Sequence, residues 1–153
     1  MSRVLGVLPK GGELLLAVAD DGRILSDGCE RLQAPALLEA TERLQSMLSD
    51  LRRLLAELKP DLVRILMAEQ TYSDTYARIA PKAALETLMR LAAASEGVPV
   101  EMLHRNSARS RLGMPKGGKF EANLPTALAT PVGKYWNAGR RLAAAAALAG
   151  QDR

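Results

Sequence analysis

Residues 3–25 read RVLGVLPKGGELLLAVADDGRIL, and this stretch decides the first half of the fold. Two apolar, β-prone segments at 3–7 and 13–19 are separated by Lys-Gly-Gly at 10–12, and a third short segment follows Asp-Gly at 21–22. Glycine adopts positive φ angles without steric cost, so both glycine-containing stretches are signals for tight turns. The sequence therefore predicts a three-stranded antiparallel meander.

Beyond the meander, helical and strand patterns alternate along the chain. Leucines recur at three- and four-residue steps over 37–58, and a second pattern of this kind runs from about Tyr76 or Pro81 to Ser95. Both patterns are typical of amphipathic helices. Residues 62–68 and 98–103 have the length and composition of buried strands. This alternation predicts two parallel strands joined by helical crossovers.

The last third of the sequence predicts a loop and a closing helix. Residues 104–119 are polar and basic and contain glycines, which favours a loop with at most one helical turn, whereas about 134–148 is an alanine-rich helix. The predicted fold class is α/β, with a mixed five-stranded sheet, made of the meander plus two parallel strands, flanked by helices. One domain covers 1–150, and 151–153 form a tail.

Composition excludes several classes of protein. With 153 residues, 48% of them hydrophobic and 25% charged, the chain can bury one core. Its apolar runs are far shorter than the roughly 20 residues of a membrane-spanning helix, so we expect no membrane association and a cytoplasmic location. One cysteine and one histidine exclude an internal disulfide and a structural zinc site. A net charge of +4 and a pI near 9.5 favour polyanion binding.

Four motifs carry a resemblance to a known family. They read VLGVLP at 4–9, MAEQ at 67–70, VPV at 98–100 and NAGRRLAAA at 137–145. Their order and spacing resemble RuvC-type Holliday-junction resolvases of the ribonuclease H-like superfamily, over nearly the whole chain. The resemblance implies a ribonuclease H-like fold, a Mg- or Mn-dependent endonuclease activity on branched DNA, and a dimer.

The acidic site that the resemblance implies is largely missing. The family's strand-end glutamate falls on Glu69, which is retained, but Leu8, Asn137 and Arg140 occupy the positions of the other carboxylates. A pair of divalent cations needs several carboxylates to offset its charge, and a guanidinium repels such ions. We therefore expect neither a metal nor another cofactor, and Glu69 is the one candidate metal ligand. In the alternative, other acidic residues replace the missing ligands, and the site still binds Mg or Mn.

A basic segment supplies the candidate nucleic-acid contacts. Residues 105–119 contain five cations and no acidic residue, so they can bind phosphates without regard to sequence. Arginines at the start of the last helix can hold a phosphate directly, and tyrosines can stack on exposed bases. Each group also has a competing interpretation. The basic segment can be a solvated loop, the arginines can face solvent, and the tyrosines can pack in the core. The candidates are Arg105, Arg109, Arg111, Lys116, Lys119, Arg140, Arg141, Tyr72 and Tyr76.

Three hypotheses about function follow. The leading one is a RuvC-like pseudo-nuclease that binds nucleic acid without cutting it. DNA is the expected ligand in preference to RNA, and branched DNA is the expected form. The first alternative is a divergent Mg-dependent resolvase with relocated metal ligands. The second is a scaffold that keeps the fold and docks to another protein. The leucines of 37–58 approximate heptads, which suits either burial against the sheet or pairing in a homodimer.

Overall fold

The computed structural model describes residues 2–26, 30–34, 39–67 and 75–150. The strands are β1 (Arg3–Lys10), β2 (Glu13–Asp20), β3 (Arg23–Ile24), β4 (Arg31–Gln33), β5 (Leu62–Leu66) and β6 (Val100–Leu103). The helices are α1 (Ala40–Leu58), α2 (Tyr76–Ser95), α3 (Arg105–Leu112) and α4 (Arg141–Leu148). Two 3₁₀ turns, Glu121–Asn123 and Thr126–Leu128, and a π-helical turn, Trp136–Arg140, lie between α3 and α4.

The six strands form one mixed sheet in the order β3-β2-β1-β5-β6, with β4 also paired to β2. The predicted α/β class and the meander are confirmed. β1 and β2 pair antiparallel along their whole length, from Arg3 opposite Asp20 to Lys10 opposite Glu13. The sheet has six strands rather than five because β4 also joins it. Three residues are too short to show the alternation that would reveal a strand in the sequence.

The second half of the sheet is parallel. β5 pairs parallel with both β1 and β6, so the carboxyl ends of these three strands lie at one edge of the sheet, which we call the carboxyl edge. Helices cover both faces. Leu5, Val7 and Ile65 pack with α1 and α2 on one side, and Leu8 and Leu66 pack with α4 on the other. This burial on both faces is typical of parallel sheets.

α4 lies directly against β1. A Cβ atom added to Gly6 would stand 1.9 Å from the carbonyl oxygen of Ala143 and 2.8 Å from the nitrogen of Ala147. The helix can approach this closely because its alanines, 143–147, have small side chains, and all of them are buried. The absence of a side chain at Gly6 and the small side chains of α4 are therefore both needed for this close contact.

Several predicted boundaries are wrong. α3 is a two-turn helix where the sequence favoured a loop, and it ends at Gly113, which has a φ of 68° that suits glycine. α4 begins at Arg141, because Gly139, with φ 125°, breaks the predicted continuous helix. α1 begins at Ala40, and part of the predicted start at 37 lies outside the described residues. The second helix follows its prediction and begins at Tyr76.

Leucines of α1 pack against the sheet of the same chain. Leu51 and Leu55 are buried in the core, whereas Leu44 is exposed, and Leu37 lies outside the described residues. The predicted homodimer and the scaffold function stay predictions. In the part of the chain that the structure describes, none of the helices has the length and hydropathy needed to cross a membrane.

We expect Gly6→Ala to destabilise the fold by roughly 1–3 kcal/mol or more, because the added methyl group has to displace the backbone of α4. Chemical denaturation followed by circular dichroism measures the change. Gly12→Ala is the matched control, since a Cβ at Gly12 has no neighbour within 4 Å. Equal stability of the Gly6 variant and the wild type would contradict the described packing of α4.

Candidate nucleic-acid interface

A cleft of about 240 Å³ opens at the carboxyl edge, between the end of β1 and the start of α4. Four cations line it, and each comes from a different element: Lys10, Lys82, Arg105 and Arg141. Glu121 is the one carboxylate among the described lining residues. The described part of this cleft is therefore strongly positive.

The topology explains why these cations meet. Lys10 ends β1, and Arg105 begins the helix that directly follows β6. Lys82 lies in the second turn of α2, the helix after β5, and Arg141 is the first residue of α4. The carboxyl ends of neighbouring parallel strands and the segments that follow them meet in one crevice, which is where ligands bind in open α/β sheets.

The first-strand position of the missing carboxylate is apolar. Leu8 is 4% exposed and belongs to the core beneath α4. Two residues further along the same side of β1, the Lys10 ammonium donates a hydrogen bond to the carbonyl oxygen of Ala138, at 2.6 Å. Asn137 is exposed and lines the cleft with its amide. The position to which the resemblance assigns a carboxylate is thus hydrophobic, and a lysine occupies the adjoining wall.

Arg140 does not line the cleft, which corrects its assignment to the phosphate-binding surface. It is 2% exposed. Its guanidinium donates to the carbonyl oxygens of Leu16, at 2.8 Å, and of Leu25, at 3.3 Å, and also to that of Val132. Burial lowers the pKa of Arg140 from its usual value, and the negative charge of Glu30 opposes that shift. Arg140 ties the π-helical turn to the meander.

Arg111 is held in an ion pair. It donates to both carboxylate oxygens of Glu101, at 2.7 and 2.9 Å, and Arg64 donates to the same carboxylate at 2.7 Å. The two guanidinium groups, that of Arg111 first, lower the pKa of Glu101 to about 2 against the opposing effect of burial. This carboxylate therefore remains charged at neutral pH and anchors α3 to β6.

Arg109 also serves the fold. Its guanidinium donates to the carbonyl oxygens of Lys116, at 3.0 Å, and Gly118, at 2.8 Å. It lies 5.9 Å from the ring centre of Phe120, a residue buried in the core. The side chain closes the loop after α3. Arg109 and Arg111 both shape the basic segment, and their contact with phosphates stays a prediction.

The other predicted residues are scattered around the cleft. Lys116 and Lys119 are exposed on the loop after α3, and Tyr76 is 85% exposed at the start of α2. Glu69 and Tyr72 lie outside the described residues. Of the predicted cations, the structure brings Arg105 and Arg141 together in the cleft.

Sequence reasoning missed two of the cleft cations. Lys10 belongs to the Lys-Gly-Gly turn, which has a sufficient explanation in turn geometry, and Lys82 lies in the middle of a helical pattern. The signal that could have identified them is their position. Lys10 ends a strand, and Lys82 lies near the start of the helix that follows another strand, so both belong to the end of the sheet where ligands bind in open α/β folds.

The described lining residues do not fit a pair of divalent cations. Such a site needs several carboxylates to offset the metal charge, whereas here Glu121 stands against four cations. Across the described residues, no group of three or more histidine, cysteine, aspartate or glutamate side chains is placed to hold a metal ion. Lysines and arginines at this density suit an anion instead.

The fold is α/β of the ribonuclease H-like type, and its structural neighbours include Holliday-junction resolvases. Thermus thermophilus RuvC in complex with a Holliday junction substrate matches with a TM-score of 0.74 and 17% identity, over 97% of this chain and 92% of that one. A second T. thermophilus RuvC structure matches with a TM-score of 0.71 and 20% identity, over 96% and 92%. The RuvC-type fold that the sequence motifs predicted is confirmed.

A more distant neighbour supports the same fold. The yeast mitochondrial Holliday junction resolvase Ydc2 matches with a TM-score of 0.51 and 13% identity, over 71% of this chain and 53% of that one. No protein-family model matches the sequence, and a search of curated proteins found no match. At these identities the similarity establishes the fold, and function has to be argued from the site.

We expect Arg140→Met to lower the free energy of unfolding by about 3 kcal/mol, because it leaves buried carbonyl oxygens without their donor. Arg141→Met is the matched control and should change stability by less than about 0.5 kcal/mol, since Arg141 lines an open cleft. Thermal and urea unfolding measure both. Equal losses in the two variants would contradict the different roles of these neighbouring arginines.

Proposed function

We propose that this protein is a RuvC-like DNA-binding protein that holds the phosphate backbone in its basic cleft and does not cut it. The observation that carries the proposal is the convergence of Lys10, Lys82, Arg105 and Arg141 at the carboxyl edge. A phosphodiester brings one negative charge, so several neighbouring phosphates are needed to balance this cluster. A nucleic-acid backbone carries a row of such phosphates.

The chemistry of the four side chains suits phosphate. The guanidinium groups of Arg105 and Arg141 present planar pairs of N–H donors that match two phosphate oxygens, and the lysines act as point charges. Cleft walls of low dielectric concentrate the field and attract polyanions from solution. Contacts of this kind fix the position of the strand but do not select a base sequence.

Loss of catalysis is part of the proposal. Two-metal hydrolysis needs carboxylates that bind the ions beside the scissile phosphate. Leu8 offers no ligand, Asn137 offers an amide oxygen without charge, and Lys10 and Arg141 bring positive charge to the same walls. Even if Glu69 reaches this cleft, two carboxylates then face four cations. The charge that metals would supply to the phosphate is already provided by the protein.

The resolvase neighbours suggest the form of DNA to test first. One of them is described in complex with a Holliday junction substrate, and the present chain shares that fold over almost its full length. We therefore propose branched DNA, in preference to plain duplex or RNA, as the ligand of the cleft.

We expect Lys82→Ala and Arg141→Ala each to weaken binding of a four-way DNA junction and to reduce the slope of log affinity against log salt by about 1, since each removes one phosphate contact. Fluorescence anisotropy of a labelled junction at several salt concentrations measures the slope. The control is Arg53→Ala, because Arg53 is exposed near the end of α1, away from the carboxyl edge. Unchanged slopes in the cleft variants, or no binding at low salt, would overturn the proposed function.

The same samples distinguish the nuclease alternative. With Mg²⁺ or Mn²⁺ added to the wild-type complex, we expect the junction to remain intact on denaturing gels. Metal-dependent cleavage that Glu69→Gln abolishes would instead show that a catalytic site persists and that the loss of catalysis is wrong.

A further inference from the structure

Tyr135 has an unusual backbone conformation, two residues before Asn137, which lines the cleft. Its φ of 61° and ψ of 18° lie in the left-handed region, which is rare for a bulky residue. The turn that holds it is well bonded, because the Tyr135 carbonyl oxygen accepts hydrogen bonds from the backbone N–H groups of Ala138 and Arg140, both at 3.1 Å. The side chain nevertheless remains 42% exposed. The backbone thus presents an aromatic ring at the surface.

A fixed cation lies over this ring. The guanidinium carbon of Arg31 is 5.2 Å from the centre of the Tyr135 ring, within the range of a cation–π contact. Arg31 is itself held in place, by an ion pair with Glu13 at 2.5 Å and a hydrogen bond to Gln33 at 2.5 Å. The ring and the guanidinium are therefore positioned before any ligand arrives, which reduces the entropy lost on stacking.

The Tyr135–Arg31 pair is continuous with the basic cleft. Asn137, two residues after Tyr135, lines the cleft, and Lys10 donates a hydrogen bond to the carbonyl oxygen of the next residue, Ala138. Glu13, which holds Arg31, is the β-ladder partner of Lys10. Tyr135 and Arg31 are therefore each linked to a residue that lines the cleft, Tyr135 to Asn137 through the chain and Arg31 to Lys10 through Glu13.

The other aromatic residues of this region are engaged differently. Trp136 is buried, and its indole N–H donates to the carbonyl oxygen of Leu128 at 2.9 Å. Phe120 is buried beneath Arg105 and Arg109. Tyr76 is exposed on α2. Among the described residues near the start of α4, Tyr135 therefore combines exposure with a neighbouring cation.

We propose that the Tyr135–Arg31 pair is a stacking platform for an unpaired base of the strand whose phosphates occupy the cleft. This rests on the proposed function and adds a specificity to it. Aromatic rings and guanidinium planes stack on any base, but they require a base whose face is open. A base inside a continuous duplex is covered on both faces by its neighbours. The platform therefore favours DNA with unpaired nucleotides over fully paired DNA.

The test compares two DNAs that differ in one feature. One is a fully paired duplex, and the other is the same duplex with a gap of a few unpaired nucleotides that include the fluorescent base 2-aminopurine. We expect wild-type protein to bind the gapped DNA more tightly and to quench the 2-aminopurine by stacking. Tyr135→Ala should weaken binding of gapped DNA by roughly 5- to 100-fold and abolish the quenching. Its binding of the paired duplex should change by less than about twofold.

Two further variants guard against a folding artefact. Tyr135→Phe keeps the ring and should behave like the wild type. Tyr135→Gly suits the left-handed backbone, so it should fold at least as stably as the wild type, as measured by thermal unfolding, and still lose the preference for gapped DNA. Leu91→Ala is the control for loss of a large exposed side chain outside the cleft lining and should retain that preference.

The outcomes separate the two proposals. Equal losses on paired and gapped DNA, no loss in the Tyr135→Ala and Tyr135→Gly variants, or the same loss in Leu91→Ala would overturn the platform while leaving the cleft intact. Failure of the wild type to bind either DNA would overturn the proposed function itself, and the platform with it.

Discussion

The site depends on the contact between β1 and α4. Gly6 allows the backbone of Ala143 to lie against the central strand, and this approach determines where the first residue of α4, Arg141, stands relative to the end of β1. The buried Arg140, which directly precedes α4, strengthens this contact through hydrogen bonds to carbonyl oxygens of the meander. Two independent contacts thus hold α4, and with it Arg141, against the sheet beside the cleft.

In our proposal, the distribution of charge around that cleft is what separates this protein from a metal-dependent nuclease. A carboxylate-rich pocket holds cations, which in turn hold phosphate. Here the described walls carry four cations against one carboxylate, Glu121. Two other carboxylates serve the fold: Glu101 pairs with Arg111 and Arg64, and Glu13 pairs with Arg31. The two arrangements present the same charge to a phosphate by different means, and only one of them supplies an activated water.

Local patterns in the sequence predicted most of the fold. The glycine turns predicted the meander, and the leucine spacing predicted α1 and α2, because turn chemistry and amphipathic periodicity act over a few residues. The site was predicted less well, since its pairings are long-range. The carbonyl partners of Arg140 at Leu16 and Leu25 lie more than a hundred residues away along the chain. Arg111 appeared unpaired because its partner, Glu101, lies just outside the basic segment, on β6.

The central claim is that protein cations occupy the electrostatic role of bound metals. Its most direct test is the dissociation constant of a four-way junction, measured in EDTA and then with increasing Mg²⁺ at constant ionic strength. If lysine and arginine hold the phosphates, binding is full in EDTA, and Mg²⁺ leaves it unchanged or weakens it by competing for the backbone. Binding that is absent in EDTA and restored by Mg²⁺, with the restoration lost in Glu69→Gln, would contradict the account.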